Sequence, residues 1–190
     1  MRKESPPNTL TIQAEEEIIR RIAKLLKDRP DLMQKLCCLE NGVEVRLYQG
    51  QGFEDEENEV YLFGRTTVHG DDAILEFAVD EILYGGQGKH DDVMDVVVHE
   101  LTHLIDYMDD EDGILPGWNE HQIETYTKAR DKEIAKMKAG KNSPLVEYAL
   151  TNHVEFLAVL AEVYAVRPSA LKRSNKALFT LLDEFFHPAA

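Results

Sequence analysis

The segment His99-Glu100-Leu101-Thr102-His103 limits the possible folds of this chain more than any other feature of the sequence. Two histidines four positions apart lie on the same face of a helix, where both imidazoles can bind one zinc ion. The glutamate between them is then placed where it can act as a general base toward a water molecule. The pattern therefore predicts a helix that carries a metal site.

The residues around this motif predict that the helix is buried. Apolar side chains surround it on nearly every side, namely Val93, Met94, Val96, Val97, Val98, Leu101, Leu104 and Ile105. A helix that is hydrophobic all round lies in a protein core. Polar side chains in such a helix need bonding partners, and a metal ion would supply them. The alternative, a surface helix that carries two histidines by chance, would leave these apolar residues exposed.

The net charge bears on the kind of partner. The 190 residues include 21 Lys and Arg against 36 Asp and Glu, which gives a formal net charge of -15. Nucleic acids and anionic membranes bind basic protein surfaces, so neither is an expected partner. No stretch reaches the roughly 18 apolar residues of a membrane span, and residues 1–11 lack the apolar core of a signal peptide. We therefore expect a cytoplasmic protein.

The two cysteines, Cys37 and Cys38, are neighbours in the sequence. Adjacent cysteines form neither a disulfide framework nor a zinc knuckle. We expect both to be free thiols that are buried at the end of a helix.

The order of the predicted elements indicates a single α+β domain. Residues 1–10 are polar and contain two prolines, and we expect them to be a disordered lead. The domain then covers residues 11–190, with helices and a sheet over 11–90 and the metal-site helices over 91–190. A chain of this length can bury a core in one domain. Strands that precede a run of helices are typical of the α+β class.

Hydrophobic periodicity places the elements within this domain. Helices are predicted over about Thr11–Lys27, Pro30–Leu39, Asp91–Tyr107, Trp118–Ala139 and Asn152–Val166, with shorter pieces from 168 to 186. Strands are predicted at Val43–Tyr48, Val60–Phe63, Ala73–Val79 and, as a short fourth strand, Ile82–Tyr84.

A catalytic zinc usually has three protein ligands, so a third ligand must come from outside the motif. Glu155 is the best candidate, because its carboxylate would be costly to bury unpaired in the apolar helix that contains it. The spacing of Asn152 and Glu155 also fits a capping box, in which Glu155 would only close the start of the helix. Other histidines are alternative ligands: His153, His121, His90 and His69.

Two stretches of the sequence together resemble one family of zinc peptidases. The first is His99–Asp106, with the sequence H-E-L-T-H-L-I-D, and the second is Tyr148–Ala158, with the pattern Y-x-x-T-N-x-x-E-F-x-A. This combination is similar to the gluzincin-type metallopeptidases that group the catalytic domain of anthrax lethal factor with Mlc titration factor A. The similarity is strong over residues 91–190 and faint over 43–90.

The resemblance implies a zincin-like fold, in which a small mixed sheet packs on the metal helix and a helical C-terminal part follows. It implies that His99, His103 and Glu155 bind Zn2+. Glu100 would be the general base, and Tyr148 would stabilise the oxyanion of the reaction. On a continuous helix Tyr148 would lie two turns from Glu155, about 10.5 Å away. A bend before Asn152 is therefore needed to bring the Tyr148 hydroxyl to the metal.

Two further acidic residues have positions that suit a supporting role. Asp106 follows the second histidine by three residues and can hold a ligand imidazole or the end of its helix. An exposed carboxylate is the alternative for Asp106. Glu162 lies two turns beyond Glu155 on the same helix face, where it either supports the site or forms a salt bridge.

These residues predict a zinc-dependent peptidase that hydrolyses amide bonds in a peptide or protein substrate. Metal-activated water would attack the carbonyl, with Glu100 as the general base. The substrate would pair with a sheet-edge strand, for which Ile74–Val79 and Glu81–Tyr84 are the candidates. The alternative is a regulatory module that keeps this fold and metal but binds a protein partner, such as a transcription regulator, with little or no proteolysis. The sequence leaves the substrate, the choice between endo- and exo-cleavage, and the oligomeric state open.

Overall fold

The computed structural model describes residues 9–39, 42–55, 60–70, 72–85 and 95–188. Within these ranges the helices are α1 (Thr9–Leu25), α2 (Pro30–Cys37), α3 (Val79–Tyr84), α4 (Val96–Tyr107), α5 (Glu120–Lys138), α6 (His153–Val166), α7 (Pro168–Ser174) and α8 (Lys176–Phe186), and a short 3-10 helix covers Glu147–Leu150. The strands are β1 (Val43–Tyr48), β2 (Phe53–Asp55), β3 (Val60–Leu62), β4 (Gly64–His69) and β5 (Asp72–Ala78). The fold is α+β, as predicted. No helix in the described part of the chain is long and apolar enough to cross a membrane.

Strand β5 forms the centre of a three-stranded sheet with the order β1-β5-β4. It pairs parallel with β1, with Val43 opposite Ala73, and antiparallel with β4. Leu75 and Phe77 of β5 are almost completely buried, and a run rich in apolar residues is typical of a strand that is covered on both faces. Strands β2 and β3 form a separate antiparallel pair.

The hydrophobic pattern does not predict β4, and the strand predicted at Ile82–Tyr84 is wrong. The segment Gly64–His69 is mostly polar, so it lacks the alternation that marks a half-buried strand. Its pairing with β5 makes it a strand. Ile82–Tyr84 belongs to α3, in which Val79 and Ile82 are three residues apart and fully buried. Because that spacing places both on one helix face, packing against α1 and α4 favours the helix.

Other predicted boundaries differ by a few residues. Helix α1 begins at Thr9, so the end of the predicted lead is helical, while residues 1–8 lie outside the described ranges. The predicted start of the metal helix, Asp91, also lies outside them. Helix α4 begins at Val96, and its N-cap is Asp95, whose side chain accepts a hydrogen bond from the Val98 backbone N–H.

The prediction that Cys37 and Cys38 are buried is wrong. Both are free thiols, as expected, but both are exposed at the end of α2. The buried residues of this helix are Leu32 and Leu36, which are four positions apart and occupy its core-facing side. The cysteines that follow are therefore left at the surface.

Helices α4 and α6 pack against each other, and α4 also contacts β4, β5 and α1. Every residue of α4 is buried except His103 and Tyr107, which confirms the prediction of a core helix. Three of its buried residues are polar and ionisable: His99, Glu100 and Asp106. Since such groups are costly to bury without partners, the surrounding elements must supply them.

Candidate metal centre

Helices α4 and α6 bring three candidate metal ligands together. His99 and His103 lie one turn apart on α4, and Glu155 lies in the first turn of α6. The two imidazole Nε2 atoms are 3.0 Å apart. Glu155 Oε2 is 3.0 Å from His99 Nε2 and 3.5 Å from His103 Nε2. These donor atoms all lie within 4.8 Å of one another, close enough to hold one metal ion.

The donors themselves fit a metal ion. Glu155 Oε2 is buried and lies against the imidazole nitrogens of His99 and His103, so a cation held between these three donor atoms would satisfy the carboxylate. Burial raises the pKa of Glu155, but the imidazoles of His103 and His99 outweigh this and hold the pKa below its usual range. Glu155 is therefore an ionised carboxylate. Two imidazoles and one carboxylate form a donor set that suits zinc.

The other nitrogen of His99 is held by Glu162. His99 Nδ1 and Glu162 Oε1 are 2.7 Å apart, and Glu162 is fully buried on α6. Glu162 Oε2 accepts a hydrogen bond of 2.8 Å from the Asp95 backbone N–H. Burial lowers the pKa of His99, but Glu155 and Glu162 outweigh it and raise the pKa to about 10. The negative potential that causes this rise also favours a metal cation between the histidines and Glu155.

Glu100 is buried beside the candidate ligands and is held by strand β4. The hydroxyl of Thr66 lies 2.8 Å from Glu100 Oε2 and 2.9 Å from the Glu100 backbone carbonyl. A Cβ atom at Gly64 would lie 2.7 Å from Glu100 Oε1 and 2.6 Å from Val96 Cγ2, so only glycine fits at this position. Burial raises the pKa of Glu100. Neither Gly64 nor Thr66 is predicted as a site residue, because no strand is predicted over β4, although the β-branched run that starts at Thr66 is a strand signal.

Tyr148 lies near His99, as the resemblance implies. The 3-10 helix that contains it ends before α6 begins, and Asn152 between them has an extended backbone. The required bend is therefore present. The ring centroids of Tyr148 and His99 are 6.0 Å apart, and Tyr148 is 41% exposed. Burial and the Glu155 carboxylate raise the pKa of Tyr148 to about 12.

The predicted cap at Asn152 is present, but the Glu155 side chain does not close it. Asn152 is the N-cap of α6, and its Oδ1 accepts a hydrogen bond of 2.8 Å from the Glu155 backbone N–H. The Glu155 carboxylate, however, lies against the histidines. The cap therefore fixes the backbone of the first turn, and the side chain of Glu155 is free to face the site.

Asp106 holds the loop that follows α4. It is buried, and its carboxylate accepts hydrogen bonds of 3.0 and 3.3 Å from the Gly113 backbone N–H. Gly113 has a positive φ of 77°, and a Cβ there would lie 2.5 Å from the carbonyl oxygen of His153. Burial raises the pKa of Asp106 to about 6. Asp106 thus fixes this loop against the first turn of α6, which carries Glu155.

The alternative ligands do not join this cluster. His153, His121 and His69 are exposed, and no other group of three potential ligands was found in the described part of the chain. His90 lies outside the described residues.

The predicted edge strands are wrong, and β4 is the sheet edge beside the site. Ile74–Val79 falls largely in β5, which is paired on both sides, and Glu81–Tyr84 is helical. No described strand pairs with the outer edge of β4. A cleft of about 590 Å³ runs between β4 and the three candidate ligands. An adjoining recess of about 500 Å³ is lined by Tyr61, Phe63 and Tyr148.

The comparison with protein families agrees with this geometry. The family described as glucose-regulated metallo-peptidase M90 matches residues 43–187, well over half of the chain, and confirms the resemblance to a zincin-type metallopeptidase. No match was found among curated proteins. Metallopeptidases act on peptide or protein substrates, and the matched segment contains every residue of the candidate centre. The chain belongs to the glucose-regulated metallo-peptidase M90 family.

Proposed function

We propose that this protein is a zinc-dependent peptidase that hydrolyses amide bonds, with His99, His103 and Glu155 as metal ligands and Glu100 as general base. The observation that carries the proposal is the convergence of three donor atoms within 4.8 Å, at a cleft that Glu100 also lines. A bound zinc ion would polarise the substrate carbonyl and lower the pKa of a water molecule.

Glu100 would move the proton during this reaction. A general base works best when its pKa is close to the working pH, and burial raises the pKa of Glu100 toward that range. The hydroxyl of Thr66 lies against Oε2 and orients the carboxylate. Glu100 would accept a proton from the attacking water and donate it to the leaving amine.

Tyr148 would donate a hydrogen bond to the oxyanion that develops on the substrate carbonyl. Because its pKa is raised to about 12, the phenol keeps its proton at neutral pH. Its ring lies beside that of His99, and the residue is partly exposed at the cleft that contains the candidate ligands. A donor that is already in position stabilises an oxyanion without reorganisation.

The substrate would lie along strand β4. An extended peptide can add to an exposed sheet edge through backbone hydrogen bonds, and β4 borders the cleft that contains the candidate ligands. The recess beside it has aromatic walls formed by Tyr61, Phe63 and Tyr148. We therefore expect a preference for an apolar substrate side chain next to the cleaved bond.

The test is cleavage of a peptide library by the zinc-loaded protein and by its Glu100→Gln variant. Glutamine keeps the size of the side chain but cannot act as a base, so we expect zinc to be retained and turnover to fall at least ~100-fold. Glu124→Gln is the control, because Glu124 is an exposed residue of α5. Equal turnover by Glu100→Gln and the parent would contradict the role of Glu100. Zinc binding with no cleavage by the parent would favour the regulatory module instead.

A further inference from the structure

Arg21 of helix α1 begins a series of hydrogen bonds that ends at the candidate metal centre. Its guanidinium donates to the Glu17 carboxylate at 2.8 Å, to Asp95 Oδ1 at 2.8 Å and to the Ile82 carbonyl at 2.7 Å. The side chain is only 13% exposed. Because the planar guanidinium bonds to three elements at once, its orientation is fixed.

Asp95 connects Arg21 to helix α6. Besides the Arg21 bond, Asp95 Oδ1 accepts the Val98 backbone N–H at 3.2 Å and so caps α4. The backbone N–H of Asp95 donates to Glu162 Oε2 at 2.8 Å. Glu162 Oε1 in turn lies 2.7 Å from His99 Nδ1. Since Glu162 is fully buried, a donor that it loses would not be replaced by water.

We propose that Arg21 is a positioning residue of the metal centre, which acts through Asp95 and Glu162 to hold the His99 imidazole. The inference rests on His99 being a metal ligand, as proposed above. Two effects of Arg21 contribute. It fixes the backbone N–H that orients Glu162, and its positive charge lies 2.8 Å from the Asp95 carboxylate, a largely buried anion next to Glu162.

This role gives helix α1 a part in the site. Arg21 precedes residue 43, where the family match begins, so the segment shared with the family does not contain it. Helix α1 packs on α3 and α4, and Arg21 is the residue that bonds to both the end of α3 and the N-cap of α4. The metal centre of this chain therefore includes a contribution from outside the family segment.

The test is the zinc affinity of metal-free, full-length variants, measured by competition with a chromophoric chelator. Residues that hold a ligand histidine typically change metal affinity 10- to 100-fold. Arg21 is one bond further away, so Arg21→Met should weaken zinc binding about 5- to 10-fold, and Arg21→Lys should recover part of this loss. Arg20→Met is the matched control, because Arg20 is 62% exposed and Glu17 is its hydrogen-bond partner.

A double-mutant cycle with Glu162→Gln separates this role from a general effect on folding. A glutamine has one acceptor oxygen and cannot accept both the Asp95 and the His99 bonds. If Arg21 acts through Glu162, then Arg21→Met should change affinity less than about 2-fold in the Glu162→Gln background. The affinities are compared under conditions in which circular dichroism shows that every metal-free variant is folded. The measured zinc affinity then does not include the free energy of folding.

Two results would overturn the inference while leaving the proposed function intact. One is an affinity of Arg21→Met equal to that of Arg20→Met, and the other is an undiminished effect in the Glu162→Gln background. If Arg21→Met does not fold, Asp95→Asn takes its place, because asparagine keeps the cap on Val98 but loses the charge pair; it should show the same loss and the same coupling to Glu162. Absence of zinc binding by the parent would instead contradict the ligand assignment.

Discussion

The two carboxylates that flank His99 of helix α4 have different partners. Glu162 lies on the interior side of this histidine, and Glu155 lies on its cleft side. On the interior side, both oxygens of Glu162 are bonded, one to His99 and the other to the Asp95 backbone. On the cleft side, Glu155 Oε2 lies against two imidazole nitrogens at the wall of the cleft. The interior side is therefore closed by protein groups alone, whereas the cleft side presents three donor atoms that lie close enough together to hold one metal ion.

The difference shows how one helix can supply two carboxylates with separate roles. Glu155 and Glu162 are seven residues apart on α6, so they share a face. Glu162 meets a backbone N–H and has a fixed orientation, while the Glu155 carboxylate meets two imidazoles that can also bind a metal. The sequence pattern within α6 does not distinguish these roles, because the groups that contact each carboxylate belong to α4 and its N-cap.

The largest expected effect comes from removing both histidines of the cleft side. The His99→Ala/His103→Ala variant should lose zinc, which we expect at one ion per chain in the parent, because a single carboxylate is too weak a site. Elemental analysis after dialysis measures this. The matched control is His121→Ala/His153→Ala, which changes two exposed histidines. Full zinc occupancy in the His99/His103 variant would remove the basis of the site.

The next effect separates the ligand role of Glu155 from the helix cap. Glu155→Gln should weaken zinc binding by roughly 100-fold, because a neutral amide is a poor zinc ligand. Asn152→Ala removes the cap instead, and should lower the free energy of unfolding by about 1 kcal/mol with little change in zinc affinity. Chelator competition and urea unfolding on both variants measure the two effects. Parent-like zinc affinity in Glu155→Gln would show that its carboxylate is not a ligand.

A smaller effect is expected at the rim of the cleft. Tyr148→Phe removes one hydroxyl and should lower peptide turnover about 10- to 100-fold, with zinc affinity unchanged, because the donor acts only on the developing oxyanion. Steady-state kinetics on a cleaved peptide measure this, and kcat should carry the loss more than KM. Tyr84→Phe, at an exposed tyrosine of α3, is the control. An unchanged kcat in Tyr148→Phe would exclude the oxyanion role.

The smallest effect concerns Asp106, which holds the loop after α4. Because its folded-state pKa is raised to about 6, above its unfolded value, its contribution to stability is full at low pH and is lost as pH rises through about 6. Relative to Asp106→Asn, the free energy of unfolding of the parent should therefore fall by about 1–3 kcal/mol between pH 4 and pH 7. Urea unfolding at both pH values measures the difference, with the exposed Asp109→Asn as control. If the free energies of unfolding of the parent and of Asp106→Asn differ by the same amount at both pH values, the pKa of Asp106 is not raised.

The sequence by itself determined the features that depend on local spacing. The four-residue separation of His99 and His103 places them on one helix face wherever the helix lies, and the apolar residues around them required that this helix be buried. In both cases the physical cause acts within a few residues of the chain. The bend between Tyr148 and Glu155 was expected only from the family resemblance, which places Tyr148 at the metal, because a continuous helix would separate the two residues by about 10.5 Å.

Only the tertiary structure decided which distant groups meet at α4. Thr66 bonds to Glu100 from 34 residues away, and Arg21 reaches Asp95 across 74 residues. Strand β4, which presents Thr66, is polar and becomes a strand through its pairing with β5. Hydrophobic periodicity reports which face of an element is buried, but it carries no information about the element packed against that face. The partners of a buried polar group are therefore set by the packing of whole elements.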